Sequence, residues 1–251
     1  MPTILHIPVH YQPETGIGLP EQRALHAVLL GALHTSSPKL ATAVHDSSTK
    51  PFTQALLPGQ HDAPWVWRIT WMDDTLVEPF WQGLADAPPP DLCRRPVQFV
   101  MAAARRQVVP YDTLAQTRPA LGFQVDFRTP TSFKKRYYHH PLPTPYYCFN
   151  SWWGRWQAFA PAALAIDTAV TDRVGAHLVI SHFDLHSEVL QDGQRLLLGG
   201  VGKITFRLIQ TERISARWRQ AIAVLAAFAP YCGTGHKTAQ GMGVTRVVHL
   251  S

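Results

Sequence analysis

Thirteen histidines stand in this sequence, and a few fall where their neighbours could do chemistry. His45 is followed at once by Asp46 and, five residues on, by Lys50, in the run VHDSSTKPFT. An imidazole changes protonation near neutral pH, so it can take or give a proton under ordinary conditions. A lysine ammonium can steady negative charge as it develops. Residues of these two kinds can serve proton transfer and the stabilisation of developing negative charge. His26 is the second candidate: with Leu30 and His34 at i+4 and i+8 it forms one stripe of a helix, beside that helix's apolar face. His34 reads as a surface residue of the stripe. No carboxylate lies at ligand spacing from these histidines and no H-E-x-x-H pattern occurs, so no metal site is expected.

Near the C-terminus, in GTGHKTAQGMG, Gly233, Gly235, Gly241 and Gly243 bracket His236, Lys237 and Thr238. Glycines let a backbone bend through positive φ and approach a phosphate closely, and Lys237 adds a point charge. A nucleotide-binding P-loop would need G-x-x-x-x-G-K-[ST]; here His236 occupies the place of the second glycine, and too little chain follows to build a nucleotide fold. A second basic segment, FRTPTSFKKRYYHH, sets Lys134, Lys135 and Arg136 among Phe133, Tyr137 and Tyr138, a mixture able to hold phosphates while rings stack on unpaired bases. Arg155, between Trp153 and Trp156, is expected to snorkel from a helix edge over core tryptophans. Arg213 and Arg217, one turn apart, read as a solvated face.

These residues need a scaffold. ILHIPVHY alternates as a strand does. Leu25, Val28, Leu29, Ala32 and Leu33 then recur at helical spacing until Ser36, Ser37 and Pro38 stop the helix. A short helix, KLATAVHD, precedes two strands, KPFTQALL and PWVWRITWM, followed by a helix over about Thr75 to Leu84 and a strand, PVQFVMAAA. The order returns after Pro119: LGFQVDFRTP, a helical region through WWGRWQAFAPAALAIDTAV, the strands HLVISHFDLHSEVL and GKITFRLI, the helix RISARWRQAIAVLAAFAP and the strand VTRVVHL. Two split βαβ units account for it. The expected fold is α+β, tandem ferredoxin-like (RRM-like) domains over residues 1–118 and 119–251, with the glycine-rich loop in the second.

Composition agrees. At 251 residues the chain has room for two small domains, and 46% hydrophobic against 16% charged residues describes folded protein. A formal charge of +6 favours a polyanionic partner. Cys93, Cys148 and Cys232 lie far apart without a C-x-x-C pair, which argues against a disulfide framework and for a reducing cytoplasm. Neither a signal peptide nor a membrane-spanning apolar run is read.

Four segments carry a resemblance: ALHAVLLGAL through VHDSSTKPFT, then FRTPTSFKK with PLPTPYY, then LLLGGVGKITFRL, and last AFAPYCGTGHKTAQGMG. In this order they resemble the CRISPR-associated endoribonucleases that cut precursor guide RNA within the repeat. The resemblance implies a tandem ferredoxin-like enzyme that binds one CRISPR repeat and cleaves it once without metal or cofactor, leaving 2′,3′-cyclic phosphate and 5′-hydroxyl ends. It implies His45 as acid/base, Lys50 as support and His26 as assistant. It also turns the strand with Lys134, Lys135 and Arg136 toward the RNA, and sets Gly233, Gly235, His236, Lys237, Thr238, Gly241 and Gly243 against its backbone. The implied partners are repeat RNA and a CRISPR effector complex that receives the product, with no membrane. Some relatives carry a tyrosine on the first helix where this chain has Leu30 and Gly31, which shifts weight to the two histidines. A non-catalytic RNA-binding subunit of a guide-RNA complex would keep the same loop and strand. A plain tandem RRM lacks its RNP signature here.

Overall fold

The computed structural model describes residues 1–13, 17–59, 64–88, 90–192 and 195–250. The chain divides into two compact units, Met1–Val108 with Ala239–Gly241, and Val109–Thr238 with Met242–Ser251.

In the first unit the alternation of TILHIPVH forms β1 (Thr3–His10), which is paired on both edges and therefore mostly buried. α1 (Leu19–Ser36) opens with Pro20 in its first turn and with Glu21 accepting the Gly18 N–H at 2.8 Å, two ordinary helix-start devices. It buries Leu25, Leu29, Ala32 and Leu33, the stripe its spacing predicts. Pro38 begins α2 (Pro38–Asp46) on a new axis, since a proline cannot continue the helix before it. There follow β2 (Phe52–Leu57), β3 (Trp65–Trp71) and α3 (Val77–Asp86). Two-residue strands β4 (Asp91–Leu92) and β5 (Arg95–Pro96) pair with each other, and β6 (Gln98–Phe99) and β7 (Arg105–Val108) both pair with β1.

The sheet runs β2, β3, β1 with β7 on the outer edge, all antiparallel, which is the ferredoxin-like order. Ile7, Leu29, Phe52, Trp67, Trp71 and Phe80 fill its core with no exposure above zero. Withdrawing each such side chain from water stabilises the fold by roughly 1.5–3 kcal/mol. One expectation shifts. PVQFVMAAA is not a single strand: it splits into β6 and a 3-10 turn at Met101–Ala103, and the outer strand is the exposed RRQV of β7. An edge strand facing water on both sides carries charge rather than apolar residues, so the apolar run was the wrong marker.

The second unit contains α4 (Tyr111–Ala115), β8 (Gly122–Thr131), the hairpin β9 (Phe133–Lys135) and β10 (Tyr138–His140), α5 (Pro145–Phe159), α6 (Ala169–His177), β11 (Leu178–Asp192), β12 (Arg195–Leu208), α7 (Ala216–Cys232) and β13 (Thr245–Leu250). Its main sheet has the order β11-β12-β8-β13, again ferredoxin-like. Phe123, Val125 and Phe127 of β8 alternate inward with Ile204 and Phe206 of β12, and Phe149, Trp152 and Phe228 from the helices complete this core. Among the described residues no helix is long and apolar enough to cross a membrane.

Candidate active site and nucleic-acid interface

The first unit brings His26, His45 and Lys50 into electrostatic reach of one another, since the charges of Lys50 and His45 both act on the His26 ring. His45 sits in the last turn of α2 and is exposed. Its Nδ1 lies 2.9 Å from Asp46 Oδ1, and a carboxylate can only accept, so Nδ1 carries the proton and Nε2 faces outward. Lys50 donates to the carbonyls of His45 and of Ser47, the latter at 2.8 Å, satisfying carbonyls that the end of α2 leaves without helical partners. Lys50 thereby holds the turn that carries His45, with one ammonium hydrogen left over.

His26 is half-buried beside Phe52, with ring centroids 5.5 Å apart. Its Nδ1 donates to the Ala239 carbonyl at 2.9 Å, so here too Nε2 is the open nitrogen. Burial lowers its pKa, the Ala239 hydrogen bond works in the opposite sense, and the Lys50 and His45 charges lower it further. At neutral pH this ring is uncharged and able to accept a proton. His34, two turns on, is exposed. Among the described residues no three His, Cys, Asp or Glu side chains are grouped to hold a metal ion.

Ala239 belongs to the glycine-rich stretch, yet Ala239–Gly241 packs as part of the first unit. Gly241 has φ +89°, and a Cβ there would lie 2.5 Å from the Gln22 side chain. Gln22 cannot easily yield, because its amide holds both the N–H (2.9 Å) and the carbonyl (3.1 Å) of Leu56. Close packing on Gln22 is thus a reason for glycine at this position that the sequence does not show. Reading along the chain missed Gln22 and Ala239, neither of which bears a chemical signature.

The rest of the loop belongs to the second unit. Gly233 ends α7 at φ +67°, and Gly235, Lys237 and Gly243 also have positive φ. The turn is held from several sides. The Thr234 N–H donates to Gly243 O at 2.9 Å, the His236 N–H to Ser132 O at 2.8 Å, and the Gly243 N–H to Pro130 O at 3.1 Å. Arg155 does not snorkel outward as its sequence context suggests. It turns in, donating to the Cys232 carbonyl and, at 2.7 Å, to Thr238 Oγ1, because the loop presents carbonyls that α7 and the turn leave unpaired. Of the two tryptophans expected in the core, Trp156 is fully buried and Trp153 only half-buried, while Trp152 is fully buried as well. No helix follows Lys237; a 3-10 turn at Thr238–Gln240 leads into β13, so this is not a P-loop.

Lys134, Lys135 and Arg136 lie exposed on the β9–β10 hairpin, with Arg136 at φ +46° in its turn and Tyr137 99% exposed. Lys135 donates to the Tyr147 hydroxyl at 3.2 Å, and Phe133 stacks on the Tyr147 ring. Lys134 pairs with His139 across the hairpin, and the His139 ring lies 5.1 Å from that of His236. Burial pushes His236 down to about 4, with His139, Lys237, Lys134 and Arg155 adding in that order. His236 therefore offers an uncharged ring at neutral pH, while the lysines supply the charge.

That depression has a stability consequence. Below its ordinary value of 6.5 the unfolded chain takes up this proton more readily than the native one, so the contribution of His236 is whole above 6.5 and is lost as pH falls from there toward about 4. His26, His6 and His249, also lowered, act in the same direction. Melting temperatures compared between neutral pH and about pH 5 are expected to fall, and His236→Phe is expected to narrow the drop. An unchanged drop in that variant would refute the assignment.

The geometry can now be set beside known proteins. The model of the CRISPR-associated endoribonuclease Cas6 family matches residues 125–245, from β8 through the loop to the start of β13. The CRISPR-associated endoribonuclease Cas6 of Streptococcus thermophilus is 22% identical over 206 residues, covering 80% of this chain and 81% of that protein. A solved Cas6 product complex matches with a TM-score of 0.85 and 26% identity over 99% of this chain and 100% of the other. Family model, curated protein and solved complex agree: the chain is similar to the Cas6 endoribonucleases. The structure of Thermus thermophilus Cas6 also superposes, at TM-score 0.74 and 25% identity over 99% of this chain and 98% of that one. These Cas6 likenesses extend over both units, so the ferredoxin-like order of each sheet is a Cas6 feature and the tandem reading stands.

Proposed function

We propose that the chain is the endoribonuclease that cuts CRISPR precursor guide RNA once within the repeat, without a metal ion. The observation that carries this reading is the pair of imidazoles in the first unit, each with Nδ1 engaged and Nε2 open, beside Lys50. His26, held neutral, takes the proton of the 2′-hydroxyl as its oxygen attacks the adjacent phosphorus. The bond from phosphorus to the 5′-oxygen breaks, His45, protonated on both ring nitrogens before the step, gives that oxygen its Nε2 proton, and Lys50 steadies charge on the phosphate. A 2′,3′-cyclic phosphate and a 5′-hydroxyl result. Residues 1–118 perform the chemistry, and residues 119–251 hold the strand through Lys134, Lys135, Arg136 and the loop from Gly233 to Gly243. The product passes to a CRISPR effector complex. Three free cysteines, two of them buried, fit work in a reducing cytoplasm.

The test is incubation of the pure protein with end-labelled repeat RNA in excess EDTA. A single cut with a cyclic phosphate on the 5′ fragment is expected. Bound but intact RNA would instead mark a non-catalytic subunit.

A further inference from the structure

We propose that Gln54 is a positioning residue for this cleavage: through the carbonyl oxygen of Ala239 it holds His26 in the one tautomer whose Nε2 can accept the proton of the 2′-hydroxyl. The inference rests on the reading of His26 as the base, and adds how the fold prepares it.

Gln54 stands in the middle of β2, in the run FTQALL, and is 1% exposed. A buried amide must find partners, and this one has three. Its Oε1 accepts the indole N–H of Trp67 at 2.9 Å, and its Nε2 donates to the Gln22 carbonyl at 2.8 Å and to the Ala239 carbonyl at 3.1 Å. An indole nitrogen only donates and a carbonyl only accepts, so the amide has a single consistent orientation. The Ala239 oxygen thus receives two hydrogens, one from Gln54 and one from His26 Nδ1 at 2.9 Å. Since that oxygen has no proton to give, the hydrogen between it and His26 belongs to the ring, and in a neutral imidazole the other nitrogen is then bare.

The groups facing His26 are Phe52 from β2 and Ala239 from the loop, with Lys50 and His45 the charged or titratable neighbours. Among the described residues the hydrogen bond given for this ring is the one at Nδ1, and it decides the tautomer. Ala239 is 213 residues from His26 and 185 from Gln54, so the loop could take another course without breaking any local bond. Gln54 is the buried donor that ties it down. A residue needed only to fill this place in the core would be apolar.

The relay can be read without RNA. In protein labelled with 15N-histidine, long-range proton–nitrogen spectra at neutral pH are expected to show His26 protonated on Nδ1 and bare on Nε2. Protonation on Nε2 would overturn the proposal. Gln54→Met keeps the length and removes both donors, and Gln54→Glu keeps an acceptor for Trp67 but cannot donate to Ala239 as a carboxylate. Either variant is expected to mix the His26 tautomers, to slow single-turnover cleavage by roughly 10- to 100-fold with RNA affinity nearly unchanged, and to move the acid limb of the pH–rate profile. Should Gln54→Met fail to fold, Gln54→Glu carries the same readouts. Variants with wild-type spectra and wild-type rates would end the idea. Failure of the underlying reading looks different: His26→Ala would then cut normally while the spectra still showed the bare Nε2.

Discussion

Replacing His45 by alanine is expected to lower the single-turnover rate of repeat-RNA cleavage by roughly 10²- to 10⁴-fold, the usual worth of a positioned proton donor or acceptor. RNA affinity should stay within about threefold, because rim contacts of one exposed side chain contribute little to binding. His45 is exposed at the end of α2 and its Nδ1 is engaged only by Asp46, so the substitution leaves the fold intact. His26→Ala should be equally damaging to rate, and the double variant little worse than either, since base and acid act in one step. Equal cutting by His45→Ala would remove it from the mechanism. A parallel loss of binding and cutting would mean that it grips rather than reacts.

A large structural effect is expected at Gly235. Its φ is +79°, and a Cβ would lie 2.3 Å from the Ser132 carbonyl oxygen, which already accepts the His236 N–H at 2.8 Å. Gly235 also donates its own N–H to Ser151 Oγ at 3.0 Å. Gly235→Ala must therefore open the turn or displace Ser132, which lies between β8 and β9. The left-handed conformation costs about 1–2 kcal/mol for an L-residue and the overlap about 1–3 kcal/mol more. A melting temperature lower by roughly 5–15 °C is expected, together with weaker RNA binding. Gly31→Ala is the control. It lies on an exposed face of α1 with nothing within 4 Å of the added Cβ, so it should stabilise the protein by about 0.5–1 kcal/mol. A Gly235→Ala protein that melts with the wild type would show that the loop conformation is incidental.

Much of the scaffold was legible because it rests on periodicity. The spacing of Leu25, Leu29, Ala32 and Leu33 names the buried face of α1, and the tryptophans at 65, 67 and 71 mark one face of a strand. The strand that closes the first sheet was not legible. An exposed edge has no apolar face to betray it, and RRQV reads as loop. Arg155 was misread for a related reason: beside three tryptophans a guanidinium resembles a snorkelling side chain, and only the arriving carbonyls of the Cys232 turn draw it inward. The site divides along the same line. Lone histidines and a cluster of glycines stand out by residue type, whereas Gln54 offers only the faint signal of one amide inside an apolar strand.

Residue types and their local spacing were enough to name an imidazole chemistry, a loop of positive-φ positions and two repeats of one sheet order, since each depends on covalent structure or on neighbours within a few turns. Tertiary structure alone decided which nitrogen of each imidazole is open. That choice is made by the acceptor that happens to meet Nδ1, and for His26 it is a backbone oxygen delivered from the far end of the chain. A carbonyl is present in every residue, so nothing in the order of amino acids distinguishes the one that will arrive.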